Sequence, residues 1–216
     1  MKTPSGIEGF DDILEGGYHN AELNMIYGPG ASGKTTFCLC LGVSLAKQGK
    51  KIVFIDSENS LSLERLSQIA YGLDLNKILE NIIIFKPRSF LEQFRIISNL
   101  TKNTKSMISC VLVDTIGFYY RAQSKDGNLN AHMARQLSDL KYLASQKDIP
   151  VILTNQVYSD INREGKINLV GGEMVKNWCN LLIELQKTRN RKAIVHKPNR
   201  KEFYFEIKEK GISIIR

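Results

Sequence analysis

Long hydrophobic runs are absent from this sequence of 216 residues. Its apolar stretches, such as Ile82–Phe85 and Cys110–Val113, are far shorter than the ~20 residues that a membrane-spanning helix requires. The opening MKTPSGIEGF has one lysine but no apolar run after it, so it matches neither a secretory signal nor a transit peptide. We therefore expect no membrane association and a cytoplasmic location.

Cysteine is also scarce, with four residues that all lie inside apolar segments: Cys38, Cys40, Cys110 and Cys179. No CxxC pair and no neighbouring histidine accompanies them. This arrangement favours buried structural thiols over a metal or redox site.

Internal repeats, low-complexity segments and Pro/Ser-rich linkers are missing as well. A chain of 216 residues without such boundaries is predicted to form a single domain over 1–216. Within this domain we distinguish a lead-in at 1–22 and a basic antiparallel β extension at 186–216.

The formal net charge of +8 is concentrated at one end of the chain. From Gln186 onward there are ten Lys or Arg against three Glu, so this segment carries +7 and the preceding part only +1. A basic segment on a nearly neutral body indicates a polyanionic partner.

Five short apolar runs predict buried parallel strands: Leu23–Tyr27, Lys51–Asp56, Ile82–Phe85, Ser109–Asp114 and Pro150–Thr154. Helical patterns lie between them, and the two clearest begin at Phe90, after a capping box at Ser89 and Glu92, and at Leu129. Beyond Trp178, strand-like pieces follow one another without helices. The sequence thus predicts an α/β fold, with a mostly parallel sheet flanked by helices and a C-terminal antiparallel extension.

The most informative motif is GPGASGKT at 28–35, which matches the P-loop pattern GxxxxGK[ST]. It follows a predicted strand and opens a predicted helix, where backbone N–H groups and the helix dipole can hold phosphate oxygens. Lys34 is expected to reach the β- and γ-phosphates of ATP, and Thr35 is expected to ligate Mg²⁺. The predicted ATP-binding residues are Gly28, Pro29, Gly30, Ala31, Ser32, Gly33, Lys34, Thr35 and Thr36.

Polar residues after three other strands complete the predicted site. Asp114 ends an apolar strand, as the second metal ligand of a P-loop protein does, although many ordinary strands also end in Asp. Glu58 follows the strand after the P-loop helix and is the candidate general base, whereas Asp56 is assigned a capping role. Gln156 follows the last parallel strand and is a candidate γ-phosphate sensor, with a simple Asn/Gln turn as the alternative. The predicted catalytic residues are therefore Glu58, Lys34 and Gln156.

Two loops are expected at the same edge of the sheet, one after each of the last two parallel strands. Both mix aromatic, basic and glycine residues, and their cations are Arg121 and Lys125 in the first and Arg163 and Lys166 in the second. This composition suits stacking on bases and neutralisation of phosphates. It is equally typical of any mobile surface loop.

Three further cations bracket a turn in the basic segment, namely Lys197, Arg200 and Lys201 around Pro198 and Asn199. A turn between two predicted strands is expected to project them together into solvent, where they can contact successive DNA phosphates. The alternative is a solvated basic surface that keeps the protein soluble.

Together these segments resemble the ATPase core of the RecA/RadA recombinases and, within that superfamily, the RadB family of short archaeal RadA paralogues. The segments are SGIEGFDDILEGG at 5–17, GPGASGKTT at 28–36, IDSE at 55–58, LVD at 112–114, TNQV at 154–157 and GG at 171–172. The resemblance covers the whole chain and implies a RecA-like P-loop NTPase with ATP and Mg²⁺ as ligands. It also implies that Glu58 is the catalytic glutamate, that Thr35 and Asp114 serve the metal, and that the two loops bind DNA.

The resemblance further implies a recombination and repair accessory protein, a recombinase mediator with weak ATP hydrolysis. It would bind DNA without sequence preference, single-stranded DNA above all, and act with a RadA-type recombinase. Because only 22 residues precede the first predicted strand, we expect no counterpart of the helical DNA-binding domain and polymerisation motif that precede the RadA core. We therefore expect no long filaments of the protein alone, while a smaller homo-oligomer stays open.

Two other functions stay open. One is a nucleotide-gated module that binds a recombinase without relevant turnover. The other is a KaiC-like signalling ATPase with no role on nucleic acid. KaiC-type ATPases share the Gly-Phe-Asp-Asp opening but usually have paired glutamates where this chain has Ser57-Glu58-Asn59, which disfavours that interpretation.

Overall fold

A computed structural model describes residues 1–102, 107–122, 128–159 and 167–215 of the chain. Its strands are β1 (Lys2–Thr3), β2 (Tyr18–His19), β3 (Leu23–Gly28), β4 (Lys51–Asp56), β5 (Ile82–Phe85), β6 (Ile108–Asp114), β7 (Val151–Ser159), β8 (Ile167–Leu169), β9 (Leu181–Gln186), β10 (Arg191–Lys197), β11 (Lys201–Lys208) and β12 (Gly211–Ile215). Its helices are α1 (Phe10–Ile13), α2 (Lys34–Ala46), α3 (Leu63–Ile69), α4 (Leu75–Glu80), α5 (Phe90–Lys102), α6 (Phe118–Ala122), α7 (Leu129–Lys147) and α8 (Gly172–Asn177).

One large mixed sheet organises the described residues, with the strand order β12-β11-β10-β9-β3-β7-β6-β4-β5. The strands from β9 to β5 in this order pair in parallel. Strands β10, β11 and β12 add to β9 as successive antiparallel hairpins, and β8 pairs antiparallel with the far end of β7. The predicted α/β fold with its C-terminal antiparallel extension is confirmed.

The central strands are apolar on both faces because helices cover both sides of the sheet. On one side, α2 and α1 pack on a core that includes Phe37, Leu41 and Phe54. On the other side, α5 and α7 pack on a second core that includes Met133 and Leu140. Each fully buried large apolar side chain contributes roughly 1.5–3 kcal/mol to folding, so the two cores hold the strand ends in a fixed arrangement.

The lead-in is part of the first core, which the sequence pattern did not predict. The Phe10 ring lies 5.2 Å from the Phe37 ring of α2 and 5.5 Å from the Phe203 ring of β11, measured between centroids. Tyr18 is fully buried beside it. The segment that precedes β3 therefore joins the P-loop helix to the antiparallel extension.

Two predicted boundaries need correction. Strand β7 was expected to end at Thr154, but it continues to Ser159 because Val157 pairs with Leu169 of β8. Gln156 consequently lies within a strand and not in a turn. The extension was expected to be antiparallel from its first strand, but β9 runs parallel to β3, since Asn180 N bonds to Leu23 O and β9 starts at the same end of the sheet.

The starts of the flanking helices follow the predicted signals. Ser89 Oγ accepts a hydrogen bond from Glu92 N at 3.1 Å at the start of α5, and the Glu92 carboxylate accepts one from Arg88 N at 2.7 Å.

All four cysteines are buried, as expected, and burial raises the pKa of the Cys40 thiol to about 11. Among the helices of the described segments, none is long and apolar enough to cross a bilayer.

Candidate nucleotide-binding site

The P-loop connects the carboxyl end of β3 to the first turn of α2, as the motif predicts. A Cβ atom at Gly28 would overlap the carbonyl oxygen of Leu185 on β9. Gly33 has a φ of 111°, in the left-handed region that favours glycine, and a Cβ there would lie 3.0 Å from Ile207 Cδ1. Glycine at these two positions therefore allows the loop to turn tightly against β9 and β11.

Lys34 is a buried cation held by backbone oxygens. Its Nζ donates hydrogen bonds to Gly28 O at 3.1 Å and to Pro29 O at 2.9 Å. Burial lowers the pKa of the Lys34 amine, while the Glu58 and Asp114 carboxylates act in the opposite direction. Because removing a cation from water is costly, an anion bound at the loop would stabilise the charged form of Lys34.

The two predicted Mg²⁺ residues contact each other directly. Thr35 Oγ1 donates a hydrogen bond to Asp114 Oδ2 at 2.6 Å, and Ser60 Oγ donates to the same oxygen at 3.2 Å. The other oxygen of Asp114 accepts a hydrogen bond from Thr154 Oγ1. A hydroxyl and a carboxylate at the end of a P-loop are the hard oxygen donors that Mg²⁺ prefers, so the residues present fit this ion.

The predicted base and the predicted sensor also meet. Glu58 Oε1 accepts hydrogen bonds from Gln156 Nε2 at 2.8 Å and from Thr115 Oγ1 at 2.9 Å. Gln156 is the register partner of Gly28 across the β3–β7 pairing, which places its amide beside the P-loop. Glu58 is thereby fixed between the ends of β4, β6 and β7.

A cavity of about 390 Å³ contains these groups together. Its walls are the P-loop from Gly30 to Thr36, the side chains of Glu58, Ser60, Asp114 and Gln156, and Ile207 of β11. We call it the nucleotide cavity, after the ligand that the P-loop motif predicts. Sequence reasoning missed Ile207, although its position in the alternating pattern of β11 marks it as inward-facing. Such a mixed polar and apolar cavity has the size of a small-molecule site.

Asp56 has the structural role that the sequence assigned to it. Its two carboxylate oxygens accept hydrogen bonds from Ser60 N at 2.9 Å and from Leu61 N at 3.1 Å. Through these hydrogen bonds the buried Asp56 carboxylate holds the segment that carries Glu58. Asp56 itself does not line the cavity.

The predicted DNA-binding residues do not form one group. Arg121 is exposed and lines a second cavity of about 320 Å³ with Phe118, and this cavity shares Glu58 and Gln156 with the nucleotide cavity. Three further predicted cations lie outside the described residues: Lys125, Arg163 and Lys166.

The cations of the β10–β11 turn do not project together into solvent, contrary to expectation. Lys201 Nζ donates to Ile13 O at 2.8 Å and pairs with Glu15 at 2.6 Å, because the lead-in packs beside this turn. Lys197 Nζ donates to a backbone oxygen of α8 at 3.2 Å, and Arg200 pairs with Glu202 at 2.8 Å. Their role in DNA binding stays a prediction.

A mostly parallel sheet with a P-loop on a central strand, a hydroxyl–carboxylate pair and a glutamate at neighbouring strand ends defines a RecA-type P-loop ATPase core. The chain belongs to the Rad51 family, whose family model matches residues 1–214. It is thus a member of the recombinase superfamily that the sequence motifs resemble.

Individual relatives agree with this assignment. The chain is 36% identical to the DNA repair and recombination protein RadB of Methanobrevibacter smithii, over 98% of this chain and 95% of that protein. It is also 36% identical to the protein of the same description from Thermococcus kodakarensis, over 96% and 97% of the two chains. A crystal structure of the RadB recombinase superposes with a TM-score of 0.85 at 35% sequence identity and covers 100% of both chains. The resemblance to RadB and the RecA-like fold are confirmed.

Proposed function

We propose that the protein is a RadB-like accessory factor in DNA recombination and repair, which binds ATP with Mg²⁺, hydrolyses it slowly and binds DNA. The recombination and repair role is supported by relatives that carry this description along nearly their full length. The nucleotide role is carried by one observation, the joint placement of Lys34, Thr35, Asp114, Glu58 and Gln156 around a single cavity. A RadA-type recombinase is the proposed protein partner.

ATP binding relies on the P-loop and Lys34. The triphosphate would lie along the N-terminus of α2, and the Lys34 amine would leave the carbonyl oxygens of Gly28 and Pro29 for the β- and γ-phosphates. Thr35 and Asp114 would hold Mg²⁺, which neutralises phosphate charge when it is bound. The apolar side chain of Ile207 would contact the nucleoside end of the ligand.

Hydrolysis relies on Glu58. A water oxygen attacks the γ-phosphorus, the bond from this phosphorus to the β–γ bridging oxygen breaks, and ADP and phosphate are formed. Glu58 accepts the proton that the water releases, and Lys34 stabilises the charge on the transferring group. Thr115 and Gln156 both donate to Glu58 Oε1, so they orient the carboxylate.

Gln156 provides the link between nucleotide and DNA. Its amide donates to Glu58 in the structure and would donate to the γ-phosphate when ATP is bound. The same strand, β7, leads from Gln156 to Ser159, which directly precedes the segment 160–166 with Arg163 and Lys166. A change of partner at this amide would therefore be passed along one strand to the second predicted DNA-binding loop.

DNA binding would use cations at the carboxyl edge of the parallel strands, where the P-loop also lies. Arg121 is exposed at this edge, and so are Lys187 and Arg189 in the β9–β10 turn. Contacts of such side chains to phosphates give binding that is independent of base sequence and sensitive to salt.

The test is a titration of labelled single-stranded DNA with the protein, with and without Mg²⁺-ATP, at several salt concentrations. We expect saturable binding that weakens steeply with salt and changes when ATP is added. Double-stranded DNA of the same length serves as the comparison. Binding to neither DNA would refute the DNA role and favour the signalling function.

A nucleotide-gated module without relevant turnover is the second candidate. The direct hydrogen bond between Gln156 and Glu58 favours it, because this contact lets the amide sense bound ATP whether or not ATP is cleaved. A recombinase-assisted DNA pairing assay separates the two candidates. Full assistance by Glu58→Gln in this assay would support the gated module, and its loss would support turnover.

A further inference from the structure

Two glutamine side chains are fully buried between the sheet and its outer helices. Gln93 lies on α5 and Gln136 lies on α7, and each is 0% exposed. Gln93 lies between the buried Phe90 and Ile97 on the inward face of α5, where the helical pattern would place an apolar residue. Neither glutamine lines the nucleotide cavity. A buried amide at such positions calls for a physical reason, since leaving it without partners is costly.

Both polar atoms of the Gln93 amide form hydrogen bonds. Its Oε1 accepts a hydrogen bond from Ser57 Oγ at 2.7 Å. Its Nε2 donates to Ile116 O at 3.2 Å and to Gln136 Oε1 at 2.9 Å. One side chain on α5 therefore joins the segment after β4, the segment after β6 and helix α7.

The two segments that Gln93 joins are those that hold the Glu58 carboxylate. Ser57 directly precedes Glu58, and its N–H also bonds to Asp114 O at 2.8 Å. Ile116 directly follows Thr115, whose hydroxyl donates to Glu58 Oε1. The Gln93 amide thus spans the gap between the chain that carries Glu58 and the chain that orients it.

The network is not arranged for stability alone. Gln136 Nε2 is buried and has no hydrogen-bond partner among the described residues, which costs free energy that an apolar side chain would avoid. The polar bridge is therefore better explained by the geometry that it imposes on the two strand ends.

We propose that Gln93 is a positioning residue for Glu58: its buried amide fixes the distance between Ser57 and Ile116 and so holds the Glu58 carboxylate where it can accept a proton from water. This inference rests on the proposed role of Glu58 in hydrolysis. Gln136 supports Gln93 from α7 through the hydrogen bond that Gln93 Nε2 donates to Gln136 Oε1.

The test replaces Gln93 by Met, which keeps the shape of the side chain and removes its hydrogen bonds. The matched control is Asn24→Leu. Asn24 is equally buried, and its amide bonds to His19 N at 2.9 Å, to His19 O at 2.9 Å and to Val151 O at 3.2 Å, at the opposite end of β3 from the P-loop. Both variants should lower the thermal denaturation midpoint, because both leave buried polar groups unpaired.

Single-turnover hydrolysis, with protein in excess over radiolabelled ATP, separates a positioning role from a merely structural one. Gln93→Met should lower the rate at saturation by about 10- to 100-fold, because a small displacement of a catalytic group is sufficient for such a loss. Its dissociation constant for a non-hydrolysable ATP analogue should change by less than about twofold, since the P-loop is untouched. Asn24→Leu should keep both values. An equal rate in the two variants would overturn the inference.

A milder variant keeps the test valid if Gln93→Met does not fold. Ser57→Ala removes only the hydroxyl that bonds to Gln93 Oε1 and should lower the rate severalfold. Where all variants fold, Ser57→Ala combined with Gln93→Met should be no slower than Gln93→Met alone, because both act through one network. Additive losses, or no loss in Ser57→Ala, would contradict the network.

Glu58→Gln in the same assay distinguishes failure of this inference from failure of the proposed function. If Glu58→Gln keeps the wild-type rate, or if the wild type does not cleave ATP, the role of Glu58 is wrong and Gln93 has nothing to position. If Glu58→Gln loses hydrolysis while Gln93→Met keeps it, only the positioning inference fails.

Discussion

The nucleotide cavity and the basic C-terminal segment were both predicted from the sequence, yet the structure organises them differently. At the cavity, Lys34, Thr35, Asp114, Glu58 and Gln156 line one space, with Thr35 bonded to Asp114 and Gln156 to Glu58. In the basic segment, the three cations of the β10–β11 turn contact three different parts of the molecule. The residues of a catalytic motif must lie close together to act, so the motif predicts where they lie in the fold. An excess of basic residues predicts a charge but not where each cation lies.

The strongest test of the cavity is Lys34→Ala. Removal of the buried amine should abolish measurable ATP binding and turnover, because no other cation lines the cavity in the described part of the chain. Isothermal titration calorimetry with Mg²⁺-ATP measures the loss. The control is Lys47→Ala, which removes an exposed lysine just beyond the same helix and should bind ATP as the wild type does. An unchanged affinity of Lys34→Ala for ATP would refute the P-loop assignment.

Glu58→Gln should bind ATP normally and lose about 100-fold or more of its hydrolysis rate, because an amide cannot accept a proton from water. The release of labelled phosphate at saturating ATP measures this effect. Glu64→Gln, an exposed position on α3, is the charge-matched control and should hydrolyse ATP at the wild-type rate. Persistent turnover in Glu58→Gln would mean that another group accepts the proton.

Gly28→Ala tests the contact between the P-loop and β9. The added methyl group would overlap Leu185 O, so we expect the free energy of unfolding to fall by about 1–3 kcal/mol, with weaker ATP binding. Gly30→Ala is the control in the same loop, because a Cβ there meets no atom within 4 Å. Urea denaturation of both variants gives the difference, and equal stabilities would show that β9 does not constrain the loop.

The sequence was sufficient for the elements whose signals are local. The P-loop has a fixed spacing, strands such as β4 and β5 are bounded apolar runs, and α5 begins with a capping box, so all of them lie where they were predicted. Parallel strand ends then gather at one edge of the sheet, which explains why Glu58 and Asp114 lie close together there.

The remaining features depend on contacts between segments that are distant in sequence, and a local sequence pattern does not predict such contacts. Strand β7 extends beyond Thr154 only because β8 returns to pair with it. Ile207 enters the cavity only because β11 lies two strands from β9. The partners of Lys201 are in the lead-in, 188 and 186 residues away in sequence, so its loss of exposure could not be read from its own surroundings.

The smallest expected effects concern DNA binding, and they compare cations that are free with cations that are paired. Lys187 and Arg189 are exposed and have no ion-pair partner among the described residues, whereas Lys201 and Arg200 are paired with carboxylates. A paired cation must give up its partner before it can neutralise a phosphate, so it contributes less to binding than a free one. We expect the double variant Lys187→Ala, Arg189→Ala to weaken single-stranded DNA binding and to flatten the slope of log affinity against log salt by about one to two units.

The triple variant Lys197→Ala, Arg200→Ala, Lys201→Ala is the matched comparison, with one more charge removed. If its three cations contacted phosphates freely, the salt slope would flatten by about two to three units. Lys197 is held by a backbone oxygen, Arg200 by a carboxylate and Lys201 by both, so we expect a smaller change than in the double variant. Both variants should bind ATP normally, since neither touches the cavity. A larger effect in the triple variant would show that these contacts open when DNA arrives, and the β10–β11 turn would then be the main DNA surface.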